Sequence, residues 1–212
     1  LALRKAFRLK TPKIVITLHG GFTPNWKEFP HVIGLFKKLY HMTIGKMFLR
    51  YVVDKIICVS HWEYQELSKI GLKDKIALIP NGIEELAYEL PLLYDMSIEE
   101  IKPYVLYLGR MARRKRIELI IQAINGLNRL KLVIAGPISE LDYFDYLLKL
   151  VKRLRLEHKV LFVGEVEKHD KYKFIDNSLA VVLVSEHEAE GIVVKEAMAR
   201  GKPVIVSSIP VF

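Results

Sequence analysis

Short apolar runs recur along the chain, separated by stretches in which apolar and polar residues alternate at helical spacing. The runs are 13–18 (KIVITL), 55–59 (KIICV), 75–79 (KIALI), 103–108 (PYVLYL), 130–135 (LKLVIA), 159–163 (KVLFV), 179–184 (LAVVLV) and 203–207 (PVIVS). They are continuous rather than alternating, as expected of strands in a parallel sheet covered on both faces. Helical patterns lie between them, at roughly 31–50, 61–70, 116–125, 140–154, 168–177 and 191–200. Strands alternating with helices in this rhythm predict an α/β fold with parallel sheets.

Local signals agree with these limits. Ser60-His61-Trp62-Glu63 reads as a capping box, with Ser60 at the N-cap and Glu63 three residues on. Gly71 and Gly201 stand where helices end, and Pro203 forbids continuation of the second. Pro80-Asn81-Gly82 is a turn signal, and an acid-rich stretch broken by Pro91 follows it up to about Pro103. The chain therefore divides into residues 1–97 and 98–212.

A length of 212 residues suits one large or two small domains with a sizeable core. The longest apolar runs, such as Ala180 to Val184, are strand-sized. They fall well short of the roughly 18–20 residues that a helix needs to span a bilayer. Cys58 is the single cysteine, so no intrachain disulfide forms, and no signal-peptide pattern opens the chain. These features favour a cytoplasmic protein. The net charge of +9 resides in residues 1–55, where eleven Lys/Arg face only Glu28 and Asp54. Such a segment suits anionic lipid, nucleic acid or phosphorylated substrates, or is simply a solvated face. Leu1 in place of Met, and an end at Phe212 just after a strand-like run, read as the cut ends of a longer protein.

Three constellations could carry chemistry. Gly109-Arg110-Met111-Ala112-Arg113-Arg114-Lys115 follows a strand and precedes a helix. Glycine permits a tight turn there, and Arg110 and Lys115 could bring two cations onto one diphosphate at the carboxyl end of a parallel strand. A basic surface loop is the plainer reading. Glu188-Ala189-Glu190-Gly191-Ile192 leads into a helix that carries Glu196. A helix start with a glycine amide can donate to phosphate, and carboxylates accept from sugar hydroxyls. Paired carboxylates also serve glycosidases, so these residues alone leave a hydrolase open. Acids also sit favourably at helix N-termini, which accounts for Glu188 and Glu190 but poorly for Glu196. Third, His19 ends a strand before Gly20-Gly21 and could orient a hydroxyl or phosphate. The remaining histidines show no metal-ligand spacing, and there is no P-loop, dinucleotide fingerprint or nucleophile elbow.

Taken in order, several stretches resemble the retaining glycosyltransferase family 4, which has the GT-B fold of two Rossmann-like domains. They are Asp54 to Ser60, Ile79-Pro80-Asn81-Gly82-Ile83, Tyr107-Leu108-Gly109-Arg110 with Lys115, Val133 to Gly136, Phe162-Val163-Gly164, and Glu188 to Pro203 with its E-x7-E element, Glu188 and Glu196. The resemblance implies that 1–97 is part of the acceptor-side domain and 98–212 a truncated donor-binding domain. It implies transfer of a hexose-type sugar from a nucleotide diphosphate sugar to a glycan, lipid-linked or small-molecule acceptor. Gly109, Arg110, Lys115, Gly191 and Ile192 would then meet the diphosphate. Backbone near Val166 would meet the base, Glu196 the ribose and Glu188 the donor sugar. His19 would lie near the transferred sugar, making His19 and Glu188 the catalytic candidates. The family needs no metal and no cofactor beyond the donor itself.

Two departures stand out. Ala189-Glu190-Gly191 occupies the place of the family's Gly-Phe-Gly, and Arg116 follows Lys115 where glycine is usual. Residues 31–53 mix Lys37, Lys38, Lys46 and Arg50 with Phe36, Leu39, Met47, Phe48 and Leu49. That composition suits either a helix at an anionic membrane, such as the inner face, or a sheet-covering helix with snorkelling lysines. A GT-B nucleotide-sugar epimerase and a non-catalytic basic module for RNA or membrane are the competing readings. No RNA-recognition signature is present, and no nucleic-acid partner is expected.

Overall fold

The computed structural model describes residues 12–19, 31–89, 93 and 96–212. They form two compact units. The first comprises 1–81 with 188–190 and 211; the second comprises 82–187 with 191–210 and 212.

In the first unit, β1 (Val15–Thr17), β2 (Lys55–Cys58) and β3 (Ile76–Leu78) form a parallel sheet in that order. Its helices are α1 (His31–Tyr40), α2 (Lys46–Tyr51) and α3 (His61–Lys69). The single helix expected over 31–50 is interrupted by a π-helical turn at His41–Gly45. There Thr43 donates its hydroxyl back to the Leu39 carbonyl, a bond that competes with the regular backbone ladder. Carbonyls at the end of α2 accept from Lys75, including Val53 at 2.6 Å, so a cation meets the negative end of the helix. The Ser60 cap forms as expected, its Oγ accepting from the Glu63 N–H, while the Glu63 carboxylate accepts from the N–H of Val59, one residue before the N-cap. The buried cluster here is Leu49, Val53, Ile56, Cys58, Leu67, Leu72 and Ile76. Val15 and Thr17 are exposed, so full coverage of both sheet faces does not hold for this unit among the described residues.

The second unit meets that expectation. β4 (Tyr104–Leu108), β5 (Lys131–Ala135), β6 (Val160–Gly164), β7 (Ala180–Leu183) and β8 (Val204–Val206) form a parallel sheet in the order β6-β5-β4-β7-β8. All five residues of β4 are buried. Val105 and Tyr107 enter one core, while Tyr104, Leu106 and Leu108 enter the other. Leu132 and Ile134 of β5 likewise face away from Val133 and Ala135. This is the period-two pleat of a strand with apolar matter on both sides.

Helices α5 (Ile117–Asn125) and α6 (Leu141–Arg153) supply the first core. α5 does so through Ile117, Ile120, Ile121 and Ile124, a buried stripe at helical spacing. Helices α7 (Lys168–Asn177) and α8 (Ile192–Ala199) supply the second.

The linker expected near 80–103 is not a neutral connector. The units part at Asn81 and Gly82, so the described residues of 82–97 belong to the second unit rather than to the first. Ala87, in a 3-10 turn at Glu85–Tyr88, and Ile98, in α4 (Met96–Glu99), are buried in the second core. A charged pair holds the segment down. Arg200 and Asp176 are almost fully buried and joined by two hydrogen bonds, one of them at 2.8 Å. Arg200 also donates to the carbonyls of Leu86 and Glu89, and Asp176 accepts from the Leu93 N–H at 2.6 Å. Removing one partner strands a buried charge, so Asp176→Ala or Arg200→Met should each cost about 3–5 kcal/mol in denaturant titration. The double variant should cost clearly less than the sum of the two, because neither charge is then left alone.

Candidate functional site at the sheet switch point

β4 and β7 are neighbours, yet the chain leaves β4 toward β5 on one side and reaches β8 from β7 on the other. At such a reversal the loops leaving the two strands diverge and open a crevice at their carboxyl ends. Gly109, Arg110 and Lys115 lie on the loop after β4, and Gly191, Ile192 and Glu196 on and before α8, which follows β7. The structure thus brings these donor candidates to one end of one sheet.

The loop after β4 is tightly built. Tyr107 donates its hydroxyl to the Arg110 carbonyl at 2.8 Å, and the Met111 N–H reaches the Pro137 carbonyl at 2.9 Å. Gly136 has φ 133°, and a Cβ there would sit 2.2 Å from the Gly109 carbonyl oxygen. Glycine is therefore required where the loops after β4 and β5 cross. Arg110 is exposed, whereas Lys115 is buried in a 3-10 turn at Arg113–Lys115.

That turn ends at Arg116 in the left-handed region, φ 53° and ψ 37°. The guanidinium bridges Glu118, at 2.7 Å, and Glu186. The Glu186 N–H in turn donates to the Arg114 carbonyl at 2.8 Å. The loops after β4 and β7 are thereby tied to each other by backbone and by charge.

α8 opens on Gly191, again left-handed at φ 73°, with no side-chain cap. Its first N–H groups are donors of the kind that receive anions. Val166, after β6, is half-buried and packs on the second core. Glu188 is half-buried and groups, with Ala189 and Glu190, in the first unit. Glu190 is buried, and its carboxylate accepts from the backbone N–H and side-chain amide of Asn81, a residue of that same unit. His19 lies two residues beyond β1 of the first unit, exposed and left-handed at φ 48°; Gly20 and Gly21 lie outside the described residues.

Glu196 is only 3 % exposed. Its Oε1 accepts from Lys171 Nζ at 2.8 Å and from the Tyr172 hydroxyl at 3.2 Å. Lys171 also approaches Glu84 at 3.4 Å, and Lys168 pairs with Glu84 at 3.3 Å. Burial alone would raise the Glu84 carboxyl, but the hydrogen bonds and charges of Lys168 and Lys171 outweigh it and hold that carboxyl below its usual range. Neither Lys171 nor Tyr172 belongs to a motif, and only the packing of α7 on α8 reveals them. No cluster of three or more His, Cys, Asp or Glu suited to a metal occurs among the described residues.

Residues 95–212 match the family model described as glycosyl transferases group 1, and residues 1–85 match that of glycosyltransferase family 4. The chain belongs to the glycosyl transferases group 1 family. Among its relatives is an uncharacterized glycosyltransferase of Methanocaldococcus jannaschii, 34 % identical over 73 % of this chain and 42 % of that protein. Another is the N-acetyl-alpha-D-glucosaminyl L-malate synthase of Bacillus anthracis, 30 % identical over 93 % of this chain and 51 % of that protein. The chain thus spans about half the length of these relatives. Among solved structures, Anabaena HepE in complex with UDP and glucose superposes with a TM-score of 0.79 at 20 % identity, over 99 % of this chain and 56 % of that one. The fold is of the GT-B class.

Arg116 stands where the family resemblance implies a glycine, and the backbone there has a glycine-like conformation. A non-glycine residue in that region carries about 1–2 kcal/mol of strain. The two partly exposed ion pairs together offset a comparable amount, at about 0–1 kcal/mol each. Arg116→Gly should therefore shift the unfolding free energy by less than about 1 kcal/mol, while Arg116→Val, strained and unpaired, should lose about 2 kcal/mol or more. Denaturant midpoints at constant slope distinguish the two cases.

Proposed function

We propose that this chain carries the donor-binding part of a retaining glycosyltransferase that uses a nucleotide diphosphate sugar. The observation that supports this most strongly is the pairing, at one sheet reversal, of a cationic loop with an uncapped helix start. Arg110 and Lys115 come from the loop after β4, and Gly191 and Ile192 from the opening of α8. A pyrophosphate carries the charge and the oxygens that such a pair receives.

In the reaction, the bond between the sugar's anomeric carbon and the diphosphate oxygen breaks, and the nucleotide leaves with the electron pair. A bond from an acceptor hydroxyl to that carbon forms on the same face, and the hydroxyl proton passes to the departing diphosphate oxygen. Arg110, Lys115 and the first amides of α8 would stabilise the negative charge that grows on the leaving diphosphate, an electrostatic contribution. Glu188 would hold donor-sugar hydroxyls, Val166 the base through its backbone, and Glu196 the ribose. His19 would stand by the transferred sugar. No metal or further cofactor enters this scheme.

The names of relatives span several acceptors. They include an L-malate synthase, an alpha-monoglucosyldiacylglycerol synthase of Streptococcus pneumoniae and an O-antigen chain mannosyltransferase of Salmonella typhimurium. We assign the acceptor only to the hydroxyl-bearing glycan, lipid-linked or small-molecule class.

Ligand at about 100 times its Kd should stabilise the fold by about 2.7 kcal/mol. A thermal shift with UDP, GDP or ADP should show it. Arg110→Ala, at an exposed position, should abolish the shift while leaving the unliganded melting temperature close to that of the parent, and Lys115→Ala should abolish the shift measured against its own unliganded melting temperature. Absence of a shift with every nucleoside diphosphate would defeat the reading. Turnover of a nucleotide sugar into its epimer without acceptor would replace transfer with epimerisation.

A peripheral membrane contact through 31–53 is supported by an exposed apolar face. Val32, Leu35, Phe36, Leu39, Met47 and Tyr51 are all exposed beside Lys37, Lys38, Lys46 and Arg50. Basic side chains around an apolar face suit an anionic bilayer surface. No helix among the described residues is long and apolar enough to cross a membrane. Co-sedimentation with phosphatidylglycerol vesicles, lost in Phe36→Glu/Phe48→Glu and absent with phosphatidylcholine, is the expected outcome. Equal binding to both vesicle types would remove the electrostatic part of this proposal.

A further inference from the structure

Glu196 is the second acid of the E-x7-E element, one and a half turns into α8. Carboxylates this deeply buried are normally neutralised by a partner. Here the partner comes from a different helix: Lys171 on α7 places its ammonium 2.8 Å from Oε1. The hydroxyl of Tyr172, the next residue, lies 3.2 Å from the same oxygen and 3.4 Å from Glu84 Oε2, so its one proton is shared between the two acids. Lys171 could have been spent on Glu84, which it also approaches at 3.4 Å. Lys168, lying 3.3 Å from Glu84 on its other oxygen, shares that acid, and Lys171 stands closer to Glu196.

Contacts from Lys171 and Tyr172 on Oε1 fix the rotation of the carboxyl group. Its second oxygen, Oε2, is then held in a defined direction with acceptor capacity for vicinal hydroxyls. We propose that Lys171 is a positioning residue for nucleoside recognition: by pinning Oε1 of Glu196 it presents Oε2 to the ribose hydroxyls of the donor. This rests on the ribose role given to Glu196 above. Lys171 touches neither sugar nor phosphate in this scheme, and it acts only through the glutamate.

A merely structural Lys171–Glu196 pair would affect all nucleotides alike, and that difference supplies the test. Dissociation constants are measured by calorimetry for UDP, GDP and ADP, each against its 2′,3′-dideoxy analogue, in the parent, Lys171→Met and Lys171→Arg. In the parent, loss of hydrogen bonds to a charged group should weaken the dideoxy form by about 10–100-fold for whichever nucleotide binds. In Lys171→Met the ribonucleotide should weaken to within about threefold of its analogue, while the analogue's own affinity stays within about twofold of the parent value. Lys171→Arg, which keeps the cation, should recover most of the parent ratio.

An equal loss for both nucleotides in Lys171→Met, or no loss for either, overturns the inference while leaving diphosphate binding intact. A parent that binds nucleotides without regard to the ribose hydroxyls overturns it as well. A parent that binds no nucleoside diphosphate removes the donor reading and this inference together.

Discussion

The second unit depends on one strand being denied water along its whole length. β4 is buried on both faces and flanked by β5 and β7 on its two edges. Its backbone groups are satisfied in the sheet, and its side chains divide between two apolar cores. Polar chemistry can therefore appear only where the strand ends. At that end the neighbouring connections run in opposite directions, and the loop that leaves β4 has a crevice to line. The placement of Gly109, Arg110 and Lys115 follows from packing before it follows from any ligand.

Charge is then distributed by burial. Arg200 and Asp176 are removed from water and spend their hydrogen bonds on each other and on the backbone of Leu86, Glu89 and Leu93, which makes them structural. Arg116 is partly exposed and spends its guanidinium on Glu118 and Glu186, joining two loops that also meet through a backbone bond. Arg110 remains on the surface at the strand end. Three arginines within one α/β unit thus do three different things, and what separates them is access to solvent and the distance to the nearest acid.

Much of this was readable from residue order. Among the described residues, the eight strands lie within two residues of the limits that continuous apolar runs predicted, and so do the five helices predicted after residue 60, whereas the short helix Met96–Glu99 was not foreseen. The reason is that fully buried strands and amphipathic helices carry their burial pattern in their own composition. The helix over 31–50 was less legible, because a π-turn arises from local competition for backbone acceptors and leaves no periodic signature. The fate of 82–97 was hidden too. Its acids and Pro91 read as a linker, yet its attachment depends on Arg200, more than a hundred residues further on.

The sequence by itself determined the α/β class, the strand–helix order, the glycines at tight turns and the family to which the chain belongs. Each of these is written in near neighbours and in short motifs. Only the tertiary structure decided which polar groups pair: Glu196 with Lys171, Glu190 with Asn81, Arg116 with Glu186 and Arg200 with Asp176. These partners come from separate segments whose approach is dictated by sheet order and core packing. A carboxylate's role depends on what stands within about 4 Å of it in space, and sequence distance carries no record of that.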